Sequence, residues 1–354
     1  MTSTRVRRLC LRCLLAVTAL SSAWGREITD MVGRKVTIPD KITKVFAADP
    51  YTNVLLYVVA PDLSLGLQPG CLPFRPEDRR FLRKEIAGLP ELATQSPGGE
   101  QAQVNMEEVL RLKPDIVLAM GAKGANPMRV GNLKRTEERF ARINLPLIFV
   151  DVDAIADYPA GIEFLGDLLG REDRARRLSQ YARRAFAQVQ KAVAAIPPEK
   201  RVRVYYAESA DGLATESDRS LHADAIRMAG GNIVHHGDIK THQGMEKVSL
   251  EQVLLYDPEM IISQEPEFAT NAYHDPRWQK VKAVANHRIY TVPRAPFSWI
   301  DRPPSVMRIL GVQWLAYRFY PNVYRVDIRK EIRQFCLLFM GVDVTDADLN
   351  EWLK

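Results

Sequence analysis

Short apolar runs alternate along this chain with segments whose apolar residues return every three or four positions. "ITDMVGRKVTIP" (28–39) alternates around a Gly turn and predicts an N-terminal hairpin. "KVFAAD" (44–49), "SLGLQPG" (64–70), "PDIVLAMG" (114–121) and "LPLIFVDV" (145–152) predict four buried strands, with "TNVLLYVVA" (52–60) and "RTEERFARIN" (135–144) as helices. From Tyr158 to Ile196 the period changes. Leu178, Tyr181, Ala182, Ala185, Phe186 and Val189 fall at helical spacing, and "IPPEK" (196–200) stops the run. This predicts one long helix, or two nearly abutting. Alternation then resumes with strands at "VRVYYAES" (202–209), "EMIISQ" (259–264) and "HRIYTVP" (287–293), and a helix at "LHADAIRMAGG" (221–231). A helical tail runs from Pro304 to Lys354. The pattern predicts an α/β protein of two lobes with parallel sheets, 26–155 and 198–303, joined by a long rigid helical link, 156–197, with C-terminal helices at 304–354.

One phrase occurs twice. "NMEEVLRLKPDIVL" (105–118) and "SLEQVLLYDPEMII" (249–262) share Glu107/Glu251, Val109/Val253, Leu110/Leu254 and Pro114/Pro258, each pair 144 positions apart. Asn105 and Ser249 are good N-caps. Glu108 and Gln252 follow three residues later, the spacing of a capping box. Pro114 and Pro258 stop each helix before the next strand. The repeat marks equivalent elements in two similar lobes. Glu107 and Glu251 are expected in the first turn, facing away from the Val109/Leu110 and Val253/Leu254 stripe. Such acids compensate the helix dipole, or they stand as paired exposed carboxylates offered to arginines of a partner.

Charge changes little once the start is read. Residues 1–25 carry Arg5, Arg7, Arg8 and Arg12, an apolar run from Leu14 to Leu20, and small residues ending at Ala23 and Gly25. This reads as a secretory signal peptide that leaves Arg26 as the mature N-terminus. Removing four arginines and no acid takes the net charge from +6 to +2, which withdraws support for nucleic-acid binding. No later stretch is apolar for long enough to span a membrane. Two cysteines remain, Cys71 and Cys336, too few for a disulfide framework or a cysteine metal site, and two free thiols are expected. No G-x-S-x-G, H-E-x-x-H, P-loop or post-strand G-x-G-x-x-G occurs, so the reading is not an enzyme.

Taken in order, the signal segment, "ITDMVGRKVTIP", "NMEEVLRLKPDIVL", the linking helix, "MAGGNIV" and "SLEQVLLYDPEMII" resemble the substrate-binding proteins of bacterial ABC importers for iron–siderophore, haem, cobalamin and related metal compounds. The resemblance implies a class III periplasmic binding protein fold, with a ligand in the cleft between lobes and a small movement on binding. It implies residence in the periplasm, and since nothing along the chain argues for an oligomer, a monomer is expected. It also implies an acid on each lobe, here Glu107 and Glu251, pairing with arginines of the inner-membrane permease that works with its ATPase.

Ligands of such sheets bind outside the carboxyl ends of the strands. There, Trp299 and Arg302 in "RAPFSWIDRPP" (294–304) offer a flat apolar face beside a cation. The bland alternative pairs Arg302 with Asp301 and puts Trp299 in a local cluster. Tyr51 and Tyr206 follow or end strands, and His242 is the favoured metal ligand among His235, His236 and His242; His222 and His274 are weaker. The expected solute is a metal chelate, a ferric siderophore, haem or similar, with no resident cofactor. The alternative is molybdate or tungstate, held by Arg302, Tyr51 and the backbone of "SPGG" (96–99). Competing classes are an exported enzyme on a two-lobed scaffold and an adhesion module with an empty cleft.

Overall fold

The computed structural model describes residues 25–68, 73, 75–92, 105–121, 127–237 and 244–354. An antiparallel hairpin, β1 (Gly25–Thr29) and β2 (Lys35–Pro39), opens the described chain. The first lobe then runs through β3 (Val45–Ala47), α1 (Pro50–Val59), α2 (Lys84–Ala87), α3 (Met106–Leu112), β4 (Ile116–Met120), α4 (Pro127–Ala141) and β5 (Leu147–Val150). Its sheet is parallel, in the order β3-β4-β5, with Phe46 opposite Val117 and Val117 opposite Leu147.

Over the described residues 64–68 the strand expected at 64–70 does not form. Ser64 makes a single bridge to Val45 and Leu67 another to Glu91. Side chains serve the backbone there instead. Buried Asn53 donates to the Gly66 carbonyl and accepts from Gln68 N, while the Gln68 amide donates to the Ala47 carbonyl at 2.6 Å. Backbone groups satisfied this way no longer need a ladder.

The link is two helices, α5 (Tyr158–Leu169) and α6 (Glu172–Ala194), folded back on each other. Gly170 makes the reversal in the left-handed region at φ +65. Gly166 allows the close approach, because a Cβ there would meet the Ala175 Cβ at 2.3 Å. Farther along, Glu163 accepts from Ser179 and Arg183 across the same seam.

The second lobe contains β6 (Arg203–Ala207), β7 (Ala214–Thr215), α7 (Asp224–Met228), β8 (Asn232–Ile233), β9 (Glu246–Lys247), α8 (Leu250–Tyr256), β10 (Met260–Ser263), α9 (Pro266–Ala272), α10 (Lys282–Ala285) and β11 (Ile289–Thr291). Its main sheet is also parallel, in the order β11-β10-β6-β8.

Alternation along the strands sorts the core. Ile116 and Leu118 of β4, and Val204 and Tyr206 of β6, face one large cluster shared with α1, α5 and α6. Val117 and Ala119 face a separate outer cluster under α3 and α4, and Tyr205 and Ile261 face its counterpart under α8 and α9. The last three helices, α11 (Arg308–Phe319), α12 (Ile328–Phe335) and α13 (Asp346–Trp352), are not an appendage. They join the large central cluster, and the segment from Met340 through α13 returns to the first lobe through Tyr57 Oη to the Met340 carbonyl, Arg80 to Asp348, and Phe81 against Trp352. Two lobes therefore share one continuous apolar centre, and the link is a layer rather than a lone strut.

Candidate solute-binding site

The duplicated phrase folds as two copies of one device. Asn105 caps α3 by accepting from Glu107 N and Glu108 N, and Ser249 caps α8 by accepting from Gln252 N. Lys113 and Asp257 end the helices in the left-handed region, and a proline and a strand follow each. Val109 and Val253 are each fully buried in the outer cluster of their lobe. In α3 the Glu108 side chain accepts from Arg111. Glu107 and Glu251 are exposed. Hydrogen bonding at its own helix start holds the Glu251 carboxyl below its ordinary value. Leu110 departs from expectation, standing 52% exposed rather than in the stripe.

At the carboxyl ends of β6 and β10 lies a polar cluster built from both sides of the "IDRPP" turn. Glu208 follows β6 and Glu216 follows β7; they are 2% and 1% exposed. Arg302 donates to both, from Nε to Glu208 Oε1 at 2.6 Å and from Nη2 to Glu216 Oε1 at 2.7 Å, with Asp301 at 3.9 Å. These contacts hold the Arg302 backbone in the left-handed region at φ +59, which costs a non-glycine residue about 1–2 kcal/mol. Gly244 lets the loop before β9 close on Glu216, since a Cβ there would meet Oε1 at 1.7 Å; Met245 N donates to the same oxygen.

One guanidinium thus serves several acids, and the balance shows in the protons. Burial pushes the Glu208 carboxyl up to about 9 against the pull of Arg302, with Glu216 adding to the rise. Glu208 Oε2 and Asp301 Oδ1 are buried without a hydrogen-bond partner. Asp301 Oδ2 lies 2.6 Å from His222 Nδ1. Burial disfavours the charged imidazole, but the Asp301 carboxylate prevails and holds His222 above its ordinary value. Leu221 and Met245, next to His222 and to the Glu216 contact, are 37% and 41% exposed.

The seam with the first lobe adds Arg308, which is 2% exposed. It donates to the Leu221 carbonyl at 2.7 Å and the Asp153 carbonyl at 3.4 Å, while Asp224 of α7 accepts from Ile155 N. Burial pushes the neighbouring Tyr158 phenol up to about 12, with Arg308 opposing and Asp301 and Tyr51 adding to the rise. Tyr51, in the first turn of α1, is part-buried at this seam. The N-cap of that helix, Asp49, accepts from Thr52 N and Met120 N, tying the ends of β3 and β4 together.

Several expectations need correction. Trp299 is 0% exposed, with Nε1 donating to the Ala295 carbonyl and its ring 5.6 Å from Trp352. It offers no face to a solute and serves the core. Tyr206 is fully buried, its hydroxyl accepting from Gln264 Nε2 at 2.5 Å, so a strand-end tyrosine here is a packing residue. Arg302 lies at the site, but its charge is committed to Glu208 and Glu216. The structure therefore favours the bland reading of both residues, with acids from other strands added to Asp301. His242, Cys71 and "SPGG" lie outside the described residues; Cys336 is a free, buried thiol. Among the described residues no helix is long and apolar enough to cross a membrane, and no group of three or more His, Cys, Asp or Glu is arranged to hold a metal ion. Reading of the chain missed Glu208, Glu216 and Arg308. Glu208 lies near the end of the predicted strand "VRVYYAES", where an acid was the available signal; Glu216 follows β7, a strand not predicted from the sequence, and nothing local marks Arg308.

Known proteins share this architecture. The family model described as "Periplasmic binding protein" matches residues 83–296. The solved "ABC transporter solute binding protein" of Sulfurospirillum deleyianum superposes with a TM-score of 0.82 at 34% identity, over 92% of this chain and 98% of that one. The molybdate-binding protein MolA of Haemophilus influenzae is 26% identical over 347 residues, 94% of this chain and 95% of MolA. The high-affinity heme uptake system protein IsdE of Staphylococcus aureus is 23% identical over 233 residues, 63% of this chain and 73% of its own. Two parallel sheets around a shared centre, the paired capping helices and these likenesses lead to one conclusion: the chain belongs to the periplasmic binding protein family, the solute-binding components of ABC transporters, which are not enzymes.

Proposed function

We propose that the protein captures a metal chelate, such as a ferric siderophore or haem, at the strand-end seam between the lobes. It delivers that chelate to an inner-membrane permease and its ATPase, and works in the periplasm once residues 1–25 are removed. One observation carries the choice of ligand. Arg302 is already paired with Glu208 and Glu216, while Leu221 and Met245 stand exposed beside the cluster. A bare dianion needs surplus positive charge, whereas a chelate with organic surface gains from an apolar wall and a few polar contacts. Tyr51 and His222, on opposite sides of the seam, are the polar contacts assigned to the solute. Glu107 and Glu251 are assigned to docking, each presented to arginines of the permease.

A second reading, molybdate or tungstate, is favoured by the likeness to MolA along 94% of the chain. Native mass spectrometry of protein purified from its own periplasm, followed by calorimetric titration with ferric chelates, haem, cobalamin and molybdate, separates the two. A retained organic chelate is expected. Molybdate bound more tightly than every chelate would give the site to the oxyanion.

A further inference from the structure

Large apolar side chains stand exposed at six described positions: Leu110, Leu221, Met245, Leu255, Val323 and Leu337. Leu221 and Met245 flank the strand-end cluster. Leu110 and Leu255 lie on the two duplicated helices, 52% and 78% exposed. Leu110 follows Glu107 by three residues and Leu255 follows Glu251 by four. Both spacings put a leucine one turn along the same helix face as the carboxylate.

The two lobes reach this pairing by different positions. The residue aligned with Leu110 is Leu254, which is part-buried against the outer cluster of the second lobe. The exposed leucine has moved one place on, to the position of Arg111 in the first repeat. Copying of the phrase alone does not explain an exposed leucine beside each glutamate. In a parallel α/β lobe the helix runs against the strands, so its start lies level with their carboxyl ends. Each Glu–Leu pair is therefore on the side of its lobe where solute is held.

We propose that Leu110 and Leu255 are apolar anchors of the permease contact, each seated in an apolar recess beside the basic side chain that receives its glutamate. The inference rests on the docking role given above to Glu107 and Glu251. Charge complementarity identifies the occupant: a surface that takes a carboxylate and a leucine together, twice, is a protein with two matching basic and apolar acceptor sites. A lipid surface fits less well, because anionic headgroups repel the two carboxylates. Apolar anchors around an ion pair exclude water from it and slow dissociation.

The test uses the mature chain and the permease–ATPase complex of its own organism in nanodiscs, with binding followed by biolayer interferometry. Leu110→Gln with Leu255→Gln keeps side-chain size and helix propensity, and is expected to weaken binding about tenfold or more, mainly through faster release. Leu110→Met with Leu255→Met should bind as the parent does, and circular dichroism should show both variants folded. Glu107→Arg with Glu251→Arg reads the underlying docking role separately. Loss of binding there, with the glutamine pair within twofold of the parent, overturns the leucine anchors and leaves the carboxylates standing. Binding indifferent to both pairs overturns both statements. Capture of the parent by protein-free nanodiscs, lost in the glutamine pair, would assign the leucines to lipid and overturn the inference.

Discussion

The two lobes agree on their outer helices and differ at their inner edges. Helices α3 and α8 share cap, buried valine, left-handed end and following proline. At the strand ends, the first lobe has Asp49 tied to backbone N–H groups of Thr52 and Met120, with Tyr51 beside it. The second lobe has the linked side chains of Glu208, Glu216, Arg302, Asp301 and His222. The outer device is duplicated, whereas the polar groups at the strand ends differ from one lobe to the other. Under the docking role proposed for Glu107 and Glu251, a partner with two equivalent halves would constrain both copies alike. A single asymmetric solute constrains neither copy to match the other.

Experiments that break this comparison can be ordered by expected effect. Reversing both duplicated acids, Glu107→Arg with Glu251→Arg, is expected to lower uptake about 100-fold or more, with solute affinity unchanged in a titration. Reduced affinity would move the acids to the cleft. Arg302→Ala leaves buried Glu216 without its cation and Glu208 without its Nε donor, and should cost about 3–5 kcal/mol in denaturant unfolding at neutral pH. Among the described residues of the first lobe, the matching acid is Asp49, which bonds backbone, so Asp49→Ala is expected to lose cap-sized stability, about 1 kcal/mol.

The shared device gives a smaller and matched effect. Asn105→Ala and Ser249→Ala should each cost about 1 kcal/mol, and a difference between them greater than about twofold would end the equivalence of the helices. The last test concerns protons. Glu208 binds its proton more tightly folded than unfolded, so its contribution is fully present below the ordinary 4.5 and is lost as pH rises toward about 9. His222, also raised, loses its share in the same direction as pH climbs through its folded value. Melting temperature should therefore fall between pH 5 and pH 9, and Glu208→Gln should flatten that fall. An equally steep fall in the variant would remove Glu208 as the titrating group.

Much of the scaffold was legible along the chain. Short apolar runs gave most of the parallel strands; the short β8 was not among them, and at residues 64–68 buried Asn53 and Gln68 replaced a ladder. The helical period from Tyr158 to Ile196 allowed one helix or two, and Gly170 decided for two. The site was less legible. The loop holding Arg302 was singled out, but its partners come from residues 86 and 94 positions away, a distance no local pattern reports. Trp299 read as a ligand face because a Pro-bounded loop suggests exposure; the Trp352 ring that covers it comes from the last helix.

By itself the sequence determined the elements, the duplication and the two exposed carboxylates, because apolar period, caps and prolines act within one or two turns of chain. Only the tertiary structure decided which charges cancel and which rings are covered. Burial and pairing depend on segments that meet far from one another along the chain, and these set whether an arginine is free to receive an anion or already held by the fold.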